Sequence, residues 1–314
     1  MPRCGGRLKH SRAMKRRLKR AFGVDVQGTF ARSLVVLDKS FLQGVTAQEL
    51  RFYVKHGWIF GVTEILQYEH FRKWDRWRFA NLVKLKAIEK HIVLLPGIGE
   101  MFRAESKKRK PASQVLRIKG IVLTDKLIPG RPFFELDEGT KKIATERTVE
   151  LEKRLDILID VWTDFKKIPE FDGAKSEDMA AIVRAKSLQI RDDHDDMRGF
   201  YKRHRHRSQP PAKLIDEEWT FFRWIQVQLL AGLDFFASHG LGAPFNRENL
   251  FHGLLDLDYL IVALVVGGLA SREQQMLERF SLLRPDGLIE LLSNVVDWPV
   301  MIRRPPLVRS RLTE

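Results

Sequence analysis

Short apolar runs alternate with charged segments of helical period near both ends of the chain, while the middle is helix-periodic almost throughout. The run from Ser33 to Leu37 is β-branched and wholly apolar, the pattern of a central strand in a parallel sheet buried on both faces, and Asp38 ends it. Thr46 followed by Glu49 has capping-box spacing and predicts a helix to about His56. Gly57 to Val62 reads as a second strand. Thr63 then caps a long helix through Phe71, Trp74, Trp77, Leu82 and Leu85 towards Lys90, and His91 to Leu95 reads as a third strand closed by Pro96-Gly97.

From residue 99 to residue 244 the texture is that of a helical insertion. Thr145 to Phe165 places Val149, Leu151, Leu155, Leu158 and Val161 at helical spacing, and Asp216 to His239 is an aromatic-rich core helix. Alternation of helix and strand returns over 245–300. Asp256 opens an apolar helix to about Val266, Gly267-Gly268 breaks it, Leu269 to Glu273 reads as a short strand ending in an acid, and a last helix covers Arg272 to Leu283. The division is thus a basic arm over 1–29, an α/β domain in two parts over 30–98 and 245–300, the insertion at 99–244, and a Pro- and Arg-rich basic tail over 301–314.

Charge adds a partner. With 55 Lys and Arg against 40 Asp and Glu, a formal net charge of +15 attracts polyanions, of which nucleic acid is the simplest. The basic positions are Arg16, Arg17, Lys19 and Arg20 in the arm, Lys107, Lys108, Arg109 and Lys110, and Lys202, Arg203, Arg205 and Arg207. The lone Cys4 excludes an internal disulfide or a cysteine metal cluster and fits a reducing, cytoplasmic setting. The longest apolar run, Tyr259 to Ala270, is interrupted by Gly267-Gly268 and falls short of the ~20 residues a bilayer span needs, so no membrane association is expected.

The candidate chemistry lies in the acids. Ligands of an open parallel sheet gather at the carboxyl ends of its strands. Asp38 follows the first strand, Glu64 opens the helix after the second, Asp256 opens the helix before the last strand, and Glu273 ends that strand. Oxygen donors of this kind suit Mg²⁺ or Mn²⁺, which activates water beside a phosphodiester. Taken singly, each acid reads equally well as a helix cap, a dipole partner or a surface charge.

The segments that carry these acids resemble the PIN-domain family. Val-Val-Leu-Asp38-Lys-Ser resembles its opening strand and first metal-binding acid. Val-Thr-Glu64-Ile-Leu resembles the second acid on the helix after strand two, and Asp256 to Glu273 resembles the segment with the third and fourth. The resemblance covers roughly residues 30–98 and 245–290. It implies a Rossmann-like three-layer α/β/α fold and Mg²⁺- or Mn²⁺-dependent endonucleolytic cleavage, most often of RNA, with Asp38, Asp256 and Glu273 on the ion and Glu64 completing the site. Two departures stand out: the family's last acid is usually Asp rather than Glu273, and the insertion is longer than in small members. Asp258 and Glu69 are the reserves should the register slip by one turn. Two further readings remain open, a nucleic-acid-binding scaffold whose site has decayed and a structure-specific DNase, and the insertion offers a surface for self-association or a protein partner.

Other clusters carry less. His194, His204 and His206 lie among Arg203, Arg205 and Arg207, which favours phosphate contact over a metal ion. Asp192, Asp193, Asp195 and Asp196 lack the Gly and terminal Glu of a calcium loop. Neither a nucleotide-binding glycine loop nor a Gly-x-Ser-x-Gly elbow is present.

Overall fold

The computed structural model describes residues 34–163, 171, 176–239 and 246–290. The basic arm, with Arg16, Arg17, Lys19 and Arg20, and the basic tail lie outside the described residues.

Six strands form one sheet in the order β4-β3-β2-β1-β5-β6. These are β1 (Leu34–Leu37), β2 (Ile59–Val62), β3 (Ile92–Leu94), β4 (Lys119–Gly120), β5 (Gly268–Ala270) and β6 (Leu288–Glu290). Every neighbouring pair is parallel except β3 with β4, which adds an antiparallel edge. Each position of β1 and of β2 is buried, so both faces of the sheet are covered, as their uninterrupted apolar sequences require. From β1 the chain steps outward to β2 and β3, then returns to the other side of β1 for β5 and β6. The order therefore reverses at β1, and the carboxyl ends of β1 and β5 form the switch point at which open sheets of this kind place a ligand crevice. Gly268 permits this junction, because a Cβ there would collide with the Leu34 carbonyl and the Val35 side chain.

The first helices follow the caps. After α1 (Lys39–Gly44), Thr46 and Glu49 form a complete capping box at the start of α2 (Ala47–Lys55). Thr63 caps α3 (Glu64–Arg72) by accepting from Leu66 N at 3.1 Å. The single long helix expected from Thr63 is in fact two. Asp75 accepts from Arg78 N at 2.8 Å and starts α4 (Arg76–Lys86) afresh, because a side chain that satisfies an orphan N–H makes a new N-terminus.

The middle of the chain supplies α5 (Ile98–Lys108), α6 (Ala112–Val115), α7 (Glu138–Thr163), α8 (Ser176–Asp192), α9 (His194–His204) and α10 (Thr220–His239), besides β4. These elements share one buried apolar cluster with the sheet: α7 packs on α3 and α10, and α10 packs on α8. Glu105, fully buried on α5, accepts from Ala112 N at 3.0 Å, Thr220 N at 2.7 Å and Phe221 N at 3.3 Å. Its carboxylate thus satisfies the orphan donors at the start of α10, and Phe102 stacks on Phe221 beside it at 4.3 Å.

The helix that carries Asp256 does not begin there. It runs as α11 (Arg247–Val266), capped by Asn246, which accepts from Glu248 N at 2.8 Å and Asn249 N at 3.1 Å. Asp256 is therefore a mid-helix residue. At 20 residues α11 is also long and apolar enough to cross a membrane, longer than the apolar run alone implies, but most of it is buried between β1, β5, α10 and α12 (Gln274–Leu283). Gly267, at φ 92°, ends it in the left-handed conformation that glycine adopts without strain. Strand β5 stops at Ala270, so Glu273 occupies the N-cap position of α12 instead of a strand end.

Two substitutions test this packing by chemical denaturation. Glu105→Ala leaves buried N–H groups at α10 without acceptors and is expected to cost about 2 to 3 kcal/mol. Gly268→Ala drives a methyl into the β1–β5 junction and is expected to cost about 1 to 3 kcal/mol. A loss below about 0.5 kcal/mol for either would overturn the corresponding contact.

Candidate acidic site at the strand junction

Asp38 leaves β1 in extended conformation at the N-cap of α1, yet its side chain makes no capping bond. It turns to the crevice instead, where its Oδ2 accepts from Ser40 Oγ and from Ser271 Oγ, the latter at 2.7 Å. The hydroxyls are themselves fixed: Ser40 Oγ accepts from Arg272 N at 2.9 Å and Ser271 Oγ from Glu273 N at 3.0 Å. The backbone locks the same junction through Asp38 N donating to Ala270 O at 3.0 Å. Burial raises the Asp38 carboxyl above the usual carboxylate range, the two serine bonds lower it, and the charge of Glu69 raises it again.

Glu69, buried on α3, takes the place expected for Glu64. Its Oε1 accepts from Lys39 Nζ at 2.7 Å and its Oε2 from Tyr259 OH at 2.8 Å, and Tyr259 on α11 is completely buried. Beside it, burial pushes the His70 imidazole down to about 4, so that ring is neutral at physiological pH, with Nδ1 2.8 Å from Leu66 O. Asp256 lies one turn before Tyr259 on α11, which puts both on one face of the helix. Removal from water pushes its carboxyl up to about 8, aided by the charges of Glu273, Asp38 and Glu69 and opposed by Lys39. Glu273 stands at the exposed rim. Its carboxyl is raised by partial shielding from water, then by Asp38 and Glu69.

Four carboxylates from the end of β1, α3, α11 and the start of α12 therefore act on one another across the crevice, with the Lys39 ammonium in their midst. Glu64 stays outside this group: it is exposed, lies against Gly97, and has Arg147 Nη2 3.8 Å from its Oε1. Its five-residue offset from Glu69 turns it roughly 140° around α3. Asp258 is committed elsewhere, paired with Arg154 on α7 through contacts of 2.7 and 2.8 Å. The donor set suits a hard divalent cation, since all four groups are oxygen ligands. Among the described residues, however, no three Asp, Glu, His or Cys side chains converge closely enough to hold an ion as they stand.

The two basic segments of the middle region approach through Arg109 and Arg205, which both act on the Tyr201 phenol. Exposed Lys107 and Lys108 end α5 with Arg109 and Lys110 just beyond it, while Lys202, Arg203, Arg205 and Arg207 lie at the end of α9 and just beyond it. Both helices reach Phe221, through Phe102 at 4.3 Å and Tyr201 at 5.6 Å, and the Tyr201 phenol lies in the field of both Arg205 and Arg109. None of these eight cations has a carboxylate partner among the described residues. The neighbouring histidines do not gather: His194 meets Glu217 at 3.0 Å, His206 meets Ser208 at 2.8 Å, and His204 lies against Phe200. The aspartates of this stretch are local partners as well. Asp193 caps α9 through Asp196 N at 2.8 Å, Asp192 pairs with Arg191 at 2.6 Å, and Asp195 pairs with Arg198 at 3.0 Å.

The raised Asp256 carboxyl fixes the sign of a pH dependence. Between the ordinary carboxylate range near 4 and about 8, the folded chain keeps a proton on Asp256 that the unfolded chain has lost. This contribution to stability is complete at the acidic end and disappears as pH rises towards 8. In EDTA, the melting temperature is expected to fall from pH 6 to pH 8, and Asp256→Asn is expected to flatten that slope; equal slopes in the two proteins would refute the shift. No protein-family model matches the chain, and neither does any curated protein or solved structure.

Proposed function

We propose that this chain is a divalent-metal-dependent endonuclease of PIN-like type that cleaves RNA, built on a Rossmann-like three-layer α/β/α domain with a helical insertion. The observation that carries the reading is the cluster of Asp38, Glu69, Asp256 and Glu273 at the point where strand order reverses. An acid after the first strand, one on the helix after the second, one on the helix before β5 and one just after β5 is the arrangement the PIN resemblance implies, with Glu69 in the role first assigned to Glu64.

Asp38, Glu69, Asp256 and Glu273 would hold Mg²⁺ or Mn²⁺. Once bound, such an ion stabilises charge on a scissile phosphate and favours attack by water. The protein's own part is orientation. Ser40 and Ser271 hold Oδ2 of Asp38 and Tyr259 holds Oε2 of Glu69, while Asp256 would meet an ion as its carboxylate. The eight-cation patch at the ends of α5 and α9 would receive the backbone of the strand. Helix α5, with 11 residues, is ~16 Å long and carries Lys107 and Lys108 in its last turn.

A second reading, a nucleic-acid-binding scaffold with a decayed site, draws on the Lys39–Glu69 ion pair, which places an ammonium against one of the acids. Cleavage of labelled single-stranded and structured RNA and DNA, in EDTA, Mg²⁺ and Mn²⁺, separates the readings. Metal-dependent RNA cleavage is expected, lost by about 100-fold or more in Asp38→Asn and Glu69→Gln and nearly unchanged in Glu64→Gln. Salt-sensitive binding without cleavage under any ion would favour the scaffold, and preference for DNA junctions or flaps would favour a structure-specific DNase. Alanine at Lys108, Arg109, Arg203 and Arg205 is expected to weaken binding and to flatten its salt dependence by about 0.7 in log–log slope per lost phosphate contact; an unchanged slope would remove the patch from the interface.

A further inference from the structure

Lys39 directly follows the buried Asp38 and opens α1. Its ammonium reaches across the crevice to Oε1 of Glu69 at 2.7 Å, and its side chain keeps 23% of its surface exposed, against 8% for Glu69. Tyr259 OH occupies Oε2 of the same carboxylate at 2.8 Å. The groups around Lys39 are mainly acids, Asp38 beside it, Glu69 on α3, Asp256 on α11 and Glu273 at the start of α12, with the neutral His70, the partly buried His252 and the cations Arg72 and Arg78 further round. Carboxylates so placed repel one another in a poorly hydrated crevice unless positive charge is brought among them. Within the crevice the chain itself provides that charge.

We propose that Lys39 is a tethered counter-ion of the acidic cluster, which holds the carboxylates together without metal and must swing aside from Glu69 before a divalent cation can bind. This role rests on the metal-site reading of the cluster. A tethered ammonium competes at a fixed, high effective concentration, so it weakens ion binding at every ion level without blocking it. The partly exposed stem leaves a way out to solvent, and an unbranched side chain can take it without disturbing α1. With Lys39 Nζ on Oε1 and Tyr259 OH on Oε2, both oxygens of Glu69 are engaged in the absence of an ion.

Titration of the full chain with Mn²⁺, reading free ion by electron paramagnetic resonance at fixed pH and ionic strength, tests the role directly. Lys39→Met is expected to bind Mn²⁺ about tenfold or more tightly than wild type, whereas Lys39→Arg, which keeps the charge, stays near wild type. The Met variant should also melt lower in EDTA and gain more from Mn²⁺. Should it fail to fold, Lys39→Gln keeps an N–H donor for Glu69 without the charge and is expected to tighten binding likewise. Neutral variants that bind Mn²⁺ no better than wild type, or an Arg variant that tightens binding as much as Met, would overturn the proposal. Because the readout is ion binding, a chain that binds Mn²⁺ as expected but cleaves nothing would sink the nuclease reading and leave the counter-ion standing.

Discussion

A carboxylate withdrawn from water must be given hydrogen-bond donors, and Asp38 draws its two hydroxyls from opposite sides of a single strand junction, Ser40 after β1 and Ser271 after β5. Because each hydroxyl is in turn held by a backbone N–H from the loop after β5, the register of β5 against β1 and the position of the carboxylate are one constraint. Val36 opposite Leu269 and Leu37 opposite Ala270 set that register, and Gly268 lets the strands approach. Once the junction is made, α11 must lie across β1 and β5, which brings Asp256 and Tyr259 to the same crevice.

Charge balance at the crevice is correspondingly narrow. The cluster adds negative charge where hydration is poor, in a chain that is otherwise strongly basic. Protonation of Asp256, the serine bonds to Asp38 and the reach of Lys39 all relieve the same repulsion by different means. They are therefore coupled, and a change in one alters what the others must supply. The basic patch is separate, built where α5 and α9 converge on the start of α10.

Much of the sheet was legible because its strands are continuous apolar runs punctuated by caps and glycines: β1 ending at Asp38, the Thr46 box and the stop at Gly267 all lie where the sequence pattern puts them. Three of the acids singled out from the sequence, Asp38, Asp256 and Glu273, lie close enough to act on one another. The site was not legible where it depends on the rotation of a helix. Glu64 and Glu69 share α3, and strand-end reasoning selects the first acid, whereas the inward face is decided by Tyr259, 190 residues away. Asp256 was misplaced within its helix because its acidic side chain resembled a cap while Asn246 supplied the real one. Glu105 gave no signal, since an acid in a charged helix reads as solvated until the donors it meets, 115 residues on, are known.

The carboxylate of Glu105 has a consequence for how the molecule can be taken apart. A segment inserted between two halves of a domain is often removable, leaving a smaller domain intact. Here the segment's own α5 closes the end of α10, and α10 covers a face of α11, the helix that carries Asp256 and Tyr259. Excision of residues 99–244 would bare that apolar face and slacken the helix from which two site residues project. Sheet and insertion share one buried apolar cluster, so the stretch of chain that presents the crevice with its apolar faces covered spans both.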